Sequence, residues 1–177
     1  MIEVGGAAPS LHGQPVFGRP FHLDQVRARG SVVVGFLGAL SSAATLQNLA
    51  RLTEVWPQVD AKAGGLVVVT RSPLETARDF VPRHHVLFPM LVDESGELCA
   101  AWGVQAATGA GAVWVRARPA LLSRALSVLR NGQPLPEAHV DQAPAAFVVG
   151  KDGVVRHAWY GGSVGALVPA EALWAAC

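Results

Sequence analysis

A chain of 177 residues, 51% of them hydrophobic and 15% charged, has the length of one domain with its own core. A net charge of +1 excludes a broad nucleic-acid surface, which needs a clear excess of Lys and Arg. The most apolar run, Val32 to Leu40, is nine residues, against the about 20 that a membrane span requires. Charge is low beside the roughly 25% of an average soluble domain. Either the surface is rich in Ala, Gly and small polar residues, or a partner covers part of it. The two cysteines, Cys99 and Cys177, exclude a disulfide scaffold, a CxxC pair and a cysteine-based zinc site. Met1 to Gly6 shows no basic region leading into an apolar stretch, so a cytoplasmic protein is expected.

Val32-Val33-Val34-Gly35-Phe36-Leu37 is a β-branched and aromatic run that reads as a strand buried on both faces. Ser41-Ser42 supply N-cap chemistry for a helix with an apolar stripe of Leu46, Leu49, Leu52, Trp56 and Val59. Pro57 is expected to kink or restart that helix in its last third. Gly64-Gly65 ends it, and Leu66 to Val69 forms a second buried strand. Ser72-Pro73-Leu74-Glu75 reads as a helix start, with Ser72 capping, Pro73 in the first position and Glu75 reaching back. Phe88 to Val92 is a short strand, and a helix follows from about Ser95 to Trp102, stopped by Gly103.

Between Gln105 and Asp141 the pattern loosens: Gly109-Ala110-Gly111 is flexible and Pro119 to Leu129 is helical. Ala145 to Val149 and Val154 to Trp159 flank Lys151-Asp152-Gly153 as a β-hairpin, and Val168 to Cys177 is a terminal helix. The order β-α-β-α-β-α, an insertion, then β-β-α implies a single α/β domain over residues 1–177. That order is thioredoxin-like and predicts one mixed sheet, helices on both faces and a helical insertion (105–141) before the last hairpin.

Gly6-Ala7-Ala8-Pro9, the Val32–Leu37 strand with its helix, Phe88 to Asp93, and Pro144 to Val149 with Asp152-Gly153 together resemble the peroxiredoxin-like (AhpC/TSA) family of the thioredoxin superfamily. The resemblance is closest to the peroxiredoxin-like subfamily with an extra helix, and it implies a thiol oxidoreductase. Against the pattern F-L-x-x-x-x-C-x-x-C, however, the cysteine positions fall on Ser42 and Thr45. Against P-x-x-x-T-x-x-C, Gly38 stands for the proline, Ser42 for the threonine and Thr45 for the peroxidatic cysteine. The family's arginine at the penultimate strand is likewise replaced, by Pro144-Ala145-Ala146. A hydroxyl at a helix N-terminus neither ionises near neutral pH nor forms a sulfenic acid. Pro144 aligns with the proline that is cis in thioredoxin folds.

The implied pocket comprises Gly38, Leu40, Ser41, Ser42, Thr45, Trp114 and Pro144. Catalytic residues are not assigned. Ser42 and Thr45 read as helix-capping hydroxyls rather than a nucleophile pair, and Cys99 as a buried small hydrophobe rather than a redox thiol. Cys177 reads as an exposed terminal thiol. His84-His85 cannot point the same way on a helix, and His139-x-Asp141 lies in a loop. No metal centre and no cofactor is expected. The leading reading is a non-peroxidase binding or assembly protein that self-associates or holds a protein partner. A thiol-independent enzyme acting on an apolar small molecule near Trp114, and a residual antioxidant thiol oxidoreductase using Cys99, are the alternatives.

Overall fold

The computed structural model describes residues 1–62, 64–104 and 142–177, with the side chains of 58–62 left aside. Trp114, His139, Asp141 and the expected helix over Pro119–Leu129 lie outside the described residues.

The five-stranded sheet is built on β-branched runs that leave no polar face. The strands, in chain order, are β3 (Val32–Leu37), β4 (Gly65–Thr70), β5 (Met90–Val92), β6 (Ala145–Val149) and β7 (Val155–Tyr160). Their spatial order is β5-β4-β3-β6-β7. The pairs β3/β4 and β4/β5 are parallel, whereas β3/β6 and β6/β7 are antiparallel. A strand with helices over both faces can be apolar throughout, and every residue of β3, β4 and β6 is buried.

Alternation divides those residues between two cores. One face carries Val33, Leu37, Leu66, Val68, Ala146 and Val148. It packs against α2 (Ala43–Lys62), α3 (Leu74–Arg83) and α5 (Ala170–Ala175). The other carries Val32, Val34, Phe36, Val67, Val69 and Phe147, covered by α4 (Glu97–Ala101) and an N-terminal lobe. That lobe pairs β1 (His12–Gly13) with β2 (Phe21–His22), followed by α1 (Leu23–Arg27). Two-residue strands carry no periodic pattern, so the lobe was not legible in the sequence.

Two expectations are corrected. Helix α2 runs on through Pro57 to Lys62, so of the expected kink or restart the restart does not occur. Packing of Leu49 and Leu52 into the core outweighs the one backbone hydrogen bond that a proline removes. Ser72 does not cap α3: its hydroxyl is fully buried and accepts the Leu40 N–H at 2.7 Å. The carboxylate of Glu94 accepts the Leu74 N–H at 3.0 Å instead. A capping rule reads only neighbours in sequence, and here the nearer orphan donor belonged to another strand end.

The C-terminal segment is clamped onto α2 through one buried amide. Asn48, 1% exposed, accepts the Val168 N–H at 2.7 Å and donates to the Ala166 carbonyl at 3.0 Å. Arg51 adds a bond to the Val168 carbonyl at 3.0 Å.

Candidate functional site

The buried polar side chains concentrate at one end of the sheet. Among the described residues, Thr45, Thr70, Ser72, Asp93 and Gln142 are buried polar groups, and all five stand where the parallel strands end. Asn48 alone lies elsewhere. In open α/β sheets this carboxyl edge is where ligands and chemistry are found.

The turn from β3 into α2 forms the floor of the site. The hydroxyl of Thr70 donates to the Gly38 carbonyl at 3.0 Å, and Ser72 holds the Leu40 N–H. These bonds tie the β3 exit to the β4 exit and fix where α2 begins. Ser42 precedes the first helical residue, and its carbonyl accepts the Leu46 N–H at 3.1 Å. Ser41 and Ser42 are half-buried, while Thr45 in the first turn is 4% exposed.

Gln142 reaches the same turn from the other chain direction. A Cβ on Gly38 would sit 3.3 Å from the Gln142 carbonyl and 3.7 Å from the Thr45 hydroxyl. The β3/β6 register pairs Phe36 with Ala145, which puts Pro144 opposite Leu37. Gly38, Thr45 and Gln142 thus meet at the α2 entry, and Pro144 lies beside them in the β3/β6 register. The cis expectation for Pro144 is corrected: no cis peptide bond occurs among the described residues. The Ala143–Pro144 bond keeps the trans isomer, which is intrinsically preferred by roughly 0.5–1 kcal/mol. The Pro144 carbonyl accepts the Gly161 N–H at 2.7 Å, which anchors it to the end of β7.

Cys99 lies across the sheet from α2. It is 3% exposed, and its thiol donates to the Gln142 side-chain oxygen at 3.5 Å. Its backbone N–H and that of Leu98 donate to the two oxygens of Asp93, at 2.8 and 3.2 Å. The Asp93 carboxylate thus caps α4 and presses negative charge against the thiol. Burial first, and Asp93 second, push the Cys99 thiol up to about 12, against a weaker opposing pull from Arg71 and Gln142. Gln142 retains one amide nitrogen without a partner among the described residues. No spacing rule marks Gln142 as a site residue, because its partner is 43 positions away.

Cys177 packs against the other core, with its thiol donating to the Leu173 carbonyl at 3.3 Å. The expectation of an exposed thiol is corrected, since α5 folds its own terminus inward. Both cysteines are free, and the sheet separates them. His84 stacks on Phe80 at 4.0 Å between ring centres, and burial lowers its pKa. Among the described residues, no group of three or more His, Cys, Asp or Glu is placed to hold a metal ion.

The family model for AhpC/TSA matches residues 4–158. The chain belongs to the AhpC/TSA family. Solved structures agree on the fold. The peroxidoxin BcpB of Mycobacterium tuberculosis superposes with a TM-score of 0.69 at 16% identity, covering 99% of this chain and 96% of that one. The Xanthomonas campestris bacterioferritin comigratory protein gives 0.57 at 18%, covering 96% and 88%. A thiol peroxidase from Chromobacterium violaceum gives 0.63 at 13%, covering 97% and 84%. No curated protein matches the chain. The α2 entry of this chain carries Ser42 and Thr45 and no cysteine. No described helix is long and apolar enough to cross a membrane.

Proposed function

We propose that this AhpC/TSA chain has given up thiol peroxidase chemistry and acts by binding, as an assembly-forming or partner-holding protein of the cytoplasm. One observation carries the reading: the first turn of α2 presents the buried hydroxyl of Thr45 where the family resemblance puts the peroxidatic sulfur. The helix N-terminus favours an anion, but a threonine hydroxyl stays protonated in that field. Cys99 offers no substitute. It is buried on the inner face of α4, held neutral beside Asp93, and separated by the sheet from α2. The implied arginine is also missing: Pro144-Ala145-Ala146 stands at that strand start, and both alanines are fully buried.

The test is consumption of hydrogen peroxide and cumene hydroperoxide with a thiol reductant. Turnover is expected at the level of a protein-free control, unchanged in Cys99→Ser. Robust turnover that disappears in Cys99→Ser would replace this reading with a residual thiol oxidoreductase. Native mass spectrometry tests the binding half: an assembly above the 18.5 kDa monomer supports self-association, and a monomer at micromolar concentration rejects it.

A further inference from the structure

The N-terminal lobe holds two imidazoles in register on its outer face. His12 and His22 are direct cross-strand partners in the β1/β2 ladder. The neighbouring Leu23 N–H donates to the Leu11 carbonyl at 2.9 Å, which makes Leu11 and Leu23 a hydrogen-bonded pair. His12 and His22, one step along, are then a non-hydrogen-bonded pair, the kind in which side chains approach most closely. Their rings lie nearly parallel, 9° apart, with centres separated by 6.1 Å.

The backbone beneath them is rigid. Leu11, Phe21 and Leu23 point inward, each 5% exposed or less, and join the core formed with Val32, Phe36 and Trp102. Between the two strands, the Val16 N–H donates to the Met90 carbonyl at 2.8 Å, and Pro15 bridges to Leu91. Strand alternation therefore fixes both histidines outward, where each is exposed. Neither is used by the site at the strand ends.

We infer that His12 and His22 form a bidentate site for a borderline divalent transition-metal ion, with Cu2+ bound more tightly than Zn2+. The stacked rings hold their in-plane nitrogens side by side. Cβ atoms of such a cross-strand pair lie about 4.5–5.5 Å apart, so a turn of each exposed side chain brings one nitrogen from each ring to a shared ion at about 2.0–2.1 Å. Imidazole suits copper, nickel and zinc, and affinity rises to a maximum at Cu2+. The remaining coordination positions face solvent and stay open to water or to a donor from another molecule. The pair was invisible in sequence because its spacing matches no contiguous ligand motif; only the hairpin register brings the rings together.

Isothermal titration of the full chain with Cu2+, in buffer containing glycine as a weak competitor, tests the site. One equivalent is expected to bind, weakened at least tenfold in His12→Ala and, separately, in His22→Gln. Zn2+ in the same titration should bind more weakly than Cu2+. The double variant His84→Ala/His85→Ala should bind like the native protein. Both replaced histidines are exposed, so far-UV circular dichroism and the thermal midpoint without metal should not change. Electron paramagnetic resonance of the Cu2+ complex should show nitrogen coupling that falls in each single variant. Undiminished binding in either single variant, loss in the His84/His85 variant, or no binding above the His12/His22 double variant would overturn the assignment.

Discussion

Native Cys99 should alkylate with iodoacetamide at pH 8 about a thousandfold more slowly than an unhindered cysteine. The thiolate is the reacting species, and raising the thiol from 9.0 to about 12 lowers its population by about three powers of ten. Burial on the inner face of α4 adds a requirement for local opening before any reagent arrives. The same shift couples stability to alkaline pH. The folded thiol holds its proton above the pH at which the unfolded thiol loses it. Its contribution is therefore complete below pH 9 and declines as pH rises from 9.0 toward about 12. Urea melts at pH 8 and pH 10.5 should show a steeper loss for the native protein than for Cys99→Ala, by at most about 1.4 kcal/mol per pH unit. Rapid modification of native Cys99, or identical pH slopes in the two proteins, would show a thiol far closer to ordinary.

Trp102→Ala should destabilise the protein by about 3–5 kcal/mol, the range for removing a large aromatic from a core. Trp102 is fully buried and sits between Phe147 at 5.0 Å and Phe36 at 5.5 Å, centre to centre. Phe147 passes the contact on to Tyr160 at 5.2 Å. The Tyr160 hydroxyl then donates to the Trp102 carbonyl at 2.9 Å and accepts the Ile2 N–H at 2.7 Å. One indole thus joins β3, β6, β7 and the N-terminal segment. Trp102→Phe should recover about half of the loss. A denaturant midpoint for Trp102→Ala within experimental error of native would mean the cavity refills, and the cluster would not be the anchor described.

The large elements were legible because their chemistry is local. Val32 to Leu37 is apolar at every position except Gly35, which only a strand covered on both sides tolerates. The stripe Leu46, Leu49 and Leu52 fixed one face of α2 by spacing alone. The strand-end site was legible in part. Gly38, Ser42, Thr45 and Pro144 sit in two chain segments whose order gives away the fold, and the sheet register joins them. What escaped depends on partners distant in sequence. Ser72 has the composition of a cap but answers a donor on Leu40, 32 positions back. Gln142 matters only once Cys99 lies beside it, and Asp93 only once α4 turns its N–H groups toward the carboxylate. His12 and His22 gain meaning only through a ladder of two residues per strand.

The Asn48 clamp has a consequence for how the molecule opens. Because one amide satisfies both Ala166 and Val168, α5 cannot lift away without stranding a donor and an acceptor inside α2. Each would cost about 1–3 kcal/mol if left buried and unpaired. The first helix after β3 and the last helix of the chain, separated by more than a hundred positions, are therefore expected to exchange their amide hydrogens as one cooperative unit, which amide exchange read by mass spectrometry checks.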